Sequence, residues 1–201
     1  AMMNQKELDK ALEGKRYKKV KWGDARKLPF RDGSYSTVIS VSVLEHIKGA
    51  EKVIFEVRRV LKKGGIFAFS VPTVKLYDNL IVPKICKILG MKKLGDKYFD
   101  LHCRAFKHVN LRPTSWWVKQ LKKAGFEILI QEGTISPALL KLHEIFLVTA
   151  FPSQFWKLFF GRRLIMSVGL RSTILPIFFT RFVYIDRKCD INVFFVAKKN
   201  D

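Results

Sequence analysis

A few positions in this chain carry side chains that could do chemistry. Gly23-Asp24-Ala25 reads as a turn with a carboxylate at its centre, and a carboxylate shown on a turn can accept hydrogen bonds from an amine without blocking a flat ring beside it. Glu45-His46 sets an acid next to an imidazole, a group whose ordinary pKa of about 6.5 suits proton removal from a hydroxyl or amine at neutral pH. A plainer role for His46 is a helix-start residue with structural hydrogen bonds. His102 and His108 are candidates to face a substrate, beside the simpler reading of loop histidines. No metal site is expected, because neither histidine has partners at ligand spacing. Cys86, Cys103 and Cys189 are odd in number and far apart, which suggests neither a zinc site nor a disulfide framework.

These groups need elements to hold them. Residues 4–14 put Leu8, Ala11 and Leu12 on one helical face and end at Gly14. Tyr17 to Trp22 alternates weakly, as a strand leading into the Gly23-Asp24 turn would. Ser34 to Val43 is rich in Val, Ile, Ser and Thr without clean alternation, which predicts a strand buried on both faces of a parallel sheet. A helix over 50–61 follows, with Val53, Ile54, Val57 and Leu61 at helical spacing and Lys62-Lys63-Gly64-Gly65 as its C-terminal cap. Ile66 to Val71 is the next strand, stopped by Pro72. Pro113 and Thr114-Ser115 offer helix-start chemistry for a helix to Lys123, and strands are expected over 126–132 and 191–197. On that helix Trp116-Trp117 could stack bases, but neighbours face different ways, so one Trp in the core and one partly covered is the expectation. The alternation of helix and strand predicts an α/β fold with a crossover-connected parallel sheet, in a single domain spanning 1–201. Two irregular segments, 73–112 and 136–190, interrupt it and are expected to form a substrate cap.

The order Gly23-Asp24-Ala25, Leu28-Pro29-Phe30, Tyr35 to Ile39, Leu44-Glu45-His46, Arg58 to Gly65 and Ser70-Val71-Pro72 resembles the second half of a class I S-adenosylmethionine-dependent methyltransferase. His108-Val109-Asn110-Leu111, with the Thr114 helix and Ala124-Gly125-Phe126, is similar to the region between strands five and six of that family. The resemblance implies a Rossmann-like methyltransferase sheet and S-adenosylmethionine as cofactor. It puts Gly23, Asp24 and Ala25 at the adenine, with Asp24 meeting the ring's amine and the Ala25 amide meeting the ring. Ser40, Val41 and Ser42 would lie along the methionine part. Glu45, His102 and His108 become acceptor-side candidates, and His46 the one general base. Methyl transfer from a sulfonium is driven by in-line positioning, so a dedicated base is not obligatory.

The 201 residues contain no Gly-x-Gly loop, the feature that lets a backbone approach a nucleotide closely. Ser36 stands where the family often has an aspartate. The expectation is a sheet truncated at its N-terminus, through a start placed too late, a second polypeptide, or degeneration. Its bared apolar surface would be covered by a homo-oligomer or partner chain. A helical, aromatic and basic insertion over 136–190 precedes the last strand. Its apolar runs fall short of the roughly 18 to 20 charge-poor residues that a spanning helix needs.

Lys and Arg number 38 against 17 Asp and Glu, a net charge of +21, so polyanions are the natural long-range partners: nucleic acid or an anionic membrane surface. No charged-then-apolar start marks a signal peptide, which predicts a cytoplasmic protein that can sit peripherally at a membrane. The leading expectation is methyl transfer to a small-molecule, amphipathic acceptor. Its rival is a catalytically inactive methyltransferase-like scaffold for nucleic acid, membrane or a partner chain.

Overall fold

Two neighbouring strands, β1 (Tyr35–Val41) and β2 (Leu61–Pro72), pair in parallel and are joined by helix α1 (Ala50–Val60). α1 forms because Val53, Ile54 and Val57 recur at helical spacing, and all three are buried. The computed structural model describes residues 19–145 and 187–200. Within them the chain forms two compact units, one of residues 19–71, 107–131 and 195–200, the other of 72–106, 132–145 and 187–194.

In the first unit β2 supplies the core. Phe69 stacks on Phe67 (4.6 Å between ring centroids) and on Phe195 (5.0 Å), and meets Trp117 at 5.9 Å. Trp117 and Leu121, fully buried, come from α5 (Thr114–Lys123), which with α1 packs on this aromatic layer. Its neighbour Trp116 is half-buried, with the Arg112 guanidinium 5.4 Å from its ring centre, so the two indoles divide between core and surface as their adjacency requires. α5 starts after Pro113 without a side-chain cap. The Thr114 hydroxyl is buried and makes no hydrogen bond, so the expected capping role is not taken up.

The four strands run in the order β1-β2-β4-β3, with β3 at Phe126–Gly133 and β4 at Asn192–Lys199. The expectation of an all-parallel sheet is corrected here. Asn200 N–H donates to the Gly125 carbonyl (3.2 Å), while Thr134 N–H donates to the Asn192 carbonyl (2.9 Å), so β3 and β4 are antiparallel. Lys199 Nζ on Leu61 and Thr73 N–H on Ile191 give β4 the same sense against β2. Hydrophobic period reports that a strand is buried, not which way it runs.

Three further corrections bear on the site. β1 is not buried on both faces: Ile39 and Val41 are 70% and 66% exposed while Val38 and Ser40 between them are half-buried, so the face that residues 37, 39 and 41 share is open. Residues 19–22 form no strand, and Trp22 is exposed; their polar lysines leave no apolar face to pair. Gly64-Gly65 does not cap α1, since Leu61 is already extended and β2 begins there. Instead 62–65 form a bulge: the register passes from Tyr35 opposite Leu61 to Thr37 opposite Ile66, and Gly64 takes φ 68. A Cβ on Gly65 would lie 2.9 Å from the Lys62 carbonyl oxygen and 3.1 Å from that of Ser36, so the bulge needs its glycine.

The second unit is helical where the first irregular segment was expected: α2 (Lys75–Asn79), α3 (Ile81–Ile88) and α4 (Lys92–Ala105). Helical residues 137–145 deliver Glu144, whose buried carboxylate accepts the Ile81 and Val82 amides at the start of α3. That satisfies two donors which a helix start leaves open. The hydroxyl of Tyr98, half-buried and bonded to Glu144, is pushed above its usual pKa by desolvation first and that hydrogen bond second. The expected helix over 4–14 and most of the 136–190 segment lie outside the described residues.

Candidate functional site

β1 ends by turning sharply. Ser42, the residue after it, takes the left-handed φ of 49, and its amide donates to the Ser70 carbonyl at 3.2 Å. A non-glycine residue there costs on the order of 1–2 kcal/mol and persists only where its surroundings hold it. The chain then makes a single 3-10 turn, Leu44–His46. Leu44 drops into the core at 1% exposure and anchors that turn, which buries Glu45 and leaves His46 half-open.

The loop 107–110 locks onto the turn. Val109 and Asn110 amides both donate to the Glu45 carbonyl at 2.9 Å. Lys107, with φ 56, is the other non-glycine residue in the left-handed region among the described residues, and its carbonyl accepts from His46 Nδ1 at 2.9 Å. Since a carbonyl can only accept, Nδ1 carries the proton and the neutral ring keeps its lone pair on Nε2. His108 stacks on His46 at 5.6 Å and 27°.

Glu45 is 2% exposed, and its Oε2 has no hydrogen-bond partner. His46 Nε2 stands 3.8 Å from its Oε1, too far for a hydrogen bond but close enough for charge to be felt. Burial raises the Glu45 pKa above the usual carboxylate value, with the nearby imidazole pulling weakly the other way. A buried acid with one unpartnered oxygen beside an imidazole with an open nitrogen is an arrangement that can pass or hold a proton.

The Gly23-Asp24-Ala25 turn is exposed, and Asp24 is already engaged. Arg26 Nη2 lies 2.8 Å from Oδ2, Arg26 Nε 3.0 Å from Oδ1, and the Arg26 amide 2.9 Å from Oδ1. These bonds, side chain first, hold the Asp24 carboxyl down at about 2. Arg26 Nη1 also reaches the Lys48 carbonyl at 3.5 Å, which sets the turn beside the loop that follows His46.

Arg59, in the Arg58 to Gly65 stretch, is tied into the fold. Its guanidinium binds the Leu28 and Phe30 carbonyls at 3.0 and 2.9 Å, Asp32 at 2.6 Å and Glu56 at 2.8 Å, while Glu56 takes the Leu28 amide at 2.8 Å. The pair straps the loop carrying the Asp24 turn onto α1. Its sequence signal is an i, i+3 acid-base pair on a predicted helix, indistinguishable from a surface pair until the loop is placed.

Of the residues singled out from the sequence, Ser42, Glu45, His46 and His108 are brought together, with Ser40 and Val41 leading into them. His102 is not with them. It belongs to the second unit, 8% exposed, between the rings of Phe99 and Phe106. Burial first, then His143, lowers its pKa, which favours a neutral structural ring. Lys107 was not anticipated, and Asn110 only as a member of the 108–111 stretch. Among the described residues no group of His, Cys, Asp or Glu could hold a metal ion.

Comparison with known proteins bears on the family. Residues 2–69 match the family model for a methyltransferase domain. The chain is 41% identical over 58 residues to a sterol 24-C-methyltransferase of Gibberella zeae, covering 28% of this chain and 15% of that protein. It is 30% identical over 82 residues to norajmaline N-methyltransferase of Rauvolfia serpentina, covering 36% and 28%. It thus spans under a third of the curated relatives it matches. In fold it is similar to the crystal structure of the cyclase SpnF, with TM-score 0.53 and 16% identity over 96% of this chain and 60% of that one.

Proposed function

We propose, on the premise that residues 2–69 make this chain a relative of the class I S-adenosylmethionine-dependent methyltransferases, that it takes part in methyl transfer to a small-molecule acceptor. The observation that carries this reading is one of extent. The family match ends inside β2 and takes in the Asp24 turn, β1 and the Leu44–His46 turn, the stretch that builds the ionisable mouth described above.

The residues fit the cofactor unevenly. On the methionine side, the end of β1 at Val41 is exposed and Ser42 turns outward, and the unpartnered Glu45 Oε2 waits for a donor. On the adenine side, Asp24 serves only after Arg26 yields it, since four contacts from Arg26 use the lone-pair sites of that carboxylate. Bound S-adenosylmethionine supplies a methyl group on a sulfonium. Ser40 to Ser42 would lie along its methionine part, and Asp24 with Ala25 at its ring. His46 Nε2 takes the proton that a hydroxyl or amine acceptor loses, and Glu45, when ionised, stabilises the imidazolium across 3.8 Å. Lys107 holds the tautomer that makes this possible.

The second reading, a methyltransferase-like domain kept for binding without catalysis, draws on the Arg26 clamp over the Asp24 carboxylate. Calorimetric titration of the folded chain with S-adenosylhomocysteine separates them. A Kd of roughly 100 μM or tighter, about 5.5 kcal/mol, that vanishes in Asp24→Ala supports the transferase. No heat from a folded chain overturns the cofactor reading for this chain alone.

A further inference from the structure

The hairpin of α3 and α4 in the second unit is built with small residues inside and large ones outside. A Cβ on Gly95 would come within 3.2 Å of Cys86 Cβ and 3.3 Å of Pro83 Cα, so the two helices touch along Pro83, Cys86 and Gly95, all of them buried. Gly90 at φ 72 makes the tight turn between them, closed by the Met91 amide on the Cys86 carbonyl at 2.8 Å. The bulky side chains go the other way: Ile85, Ile88, Leu89, Met91 and Leu94 are 49%, 75%, 61%, 44% and 53% exposed. One exposed leucine is ordinary, but a contiguous aliphatic tip on a closely packed hairpin marks a contact surface.

Lysines surround the tip. Between residues 81 and 97 stand Lys84, Lys87, Lys92, Lys93 and Lys97, with Asp96 the one acid in the stretch. Asp96 is taken up by the Tyr77 hydroxyl at 2.8 Å. Lys84, Lys87 and Ile88 also line a cleft of about 480 Å³, with Tyr77 and Asp78 on its far wall.

The geometry points to an anionic lipid surface as the occupant of this tip, with Ile88, Leu89 and Met91 entering the headgroup boundary and the lysines meeting lipid phosphates. An aliphatic tip with a lysine collar matches both parts of such an interface, apolar burial and charge attraction. Lysine stems bridge the two zones by laying their methylenes along the apolar surface. Nucleic acid fits less well, because its bases stack on aromatic rings and the exposed side chains at the tip are aliphatic. A second copy would press one lysine collar against another. No helix among the described residues is long and apolar enough to cross a membrane, so the contact is interfacial. This inference stands independently of methyl transfer.

Sedimentation of the full chain with phosphatidylcholine vesicles, with and without phosphatidylserine, tests it. The chain should bind only the phosphatidylserine vesicles, and less as salt rises. Lys87→Gln with Lys92→Gln should weaken binding about 25-fold, taking each lysine near the surface as about fivefold. Ile88→Ser with Leu89→Ser should weaken it at least about tenfold. Both pairs replace exposed groups and should leave the melting curve unchanged, and Lys62→Gln with Lys63→Gln, exposed lysines of the first unit, should bind as the parent does. The inference is overturned by any of three results: no binding to the anionic vesicles, equal loss in the Lys62 and Lys63 control, or hairpin variants that alter RNA binding or self-association while vesicle binding stays intact.

Discussion

The Arg26 guanidinium lies along the Asp24 carboxylate, Nη2 to Oδ2 at 2.8 Å and Nε to Oδ1 at 3.0 Å, and so occupies the acceptor that an adenine amine would need. Arg26→Ala therefore should tighten S-adenosylhomocysteine binding, by several-fold in the calorimeter, whereas Asp24→Ala should abolish it. The same pair sets a titration. Asp24 is held at about 2, below its usual value of 3.8, so what the pair contributes to stability is present above roughly pH 4 and is lost as the pH falls through 2. Carboxyl NMR should follow Asp24 back to an ordinary aspartate value in Arg26→Ala.

Glu45 has the opposite sign. Burial raises its pKa, so its contribution is complete below the ordinary carboxylate range and is lost as the pH rises through the raised value, where a carboxylate must form without a partner on Oε2. Glu45→Gln should gain on the parent as the pH climbs from 4 to 8. A gap on the order of 1 kcal/mol, about 2–4 °C in Tm, is expected at the upper end. A constant gap across that range would mean that Glu45 titrates alike in the folded and unfolded chain.

Ser42 and Lys107 flank His46, and both sit in left-handed backbone. Replacing either with glycine should stabilise the chain by up to about 1 kcal/mol in denaturant melts, through relief of strain less the added chain entropy. Lys107→Gly should leave the His46 tautomer in place, since the carbonyl that fixes it belongs to the backbone. Nitrogen NMR of the imidazole reads this directly.

Arg59 and Glu56 hold the 28–32 loop with bonds that lysine cannot reproduce, because its ammonium lacks the planar fork. Arg59→Lys and Arg59→Ala should both speed tryptic cleavage after Arg26, Lys27 and Arg31 severalfold, with little change in the global melt. Equal cleavage rates in parent and variants would show that the strap is not what orders the loop.

Much of this architecture was legible in the residues. Val53, Ile54 and Val57 announced α1, and the Phe-rich run 66–71 announced β2. These succeeded because helical and strand periods are local properties of a buried face. The misses share one cause. Gly64-Gly65 serves a helix cap and a β-bulge equally well, and only the partner strand, with Ser36 opposite, selects the bulge. His102 and His108 look alike in a loop-rich stretch, yet packing put one between Phe99 and Phe106 and stacked the other on His46.

By itself, then, the sequence determined the alternation of elements and the basic charge, since each depends on residue type and local order. Tertiary structure alone decided the antiparallel sense of β4, the engagement of Asp24 by Arg26, the Arg59 strap and the meeting of Glu45, His46 and His108. Each of these depends on which distant groups share a few ångströms, and no period in the chain encodes that.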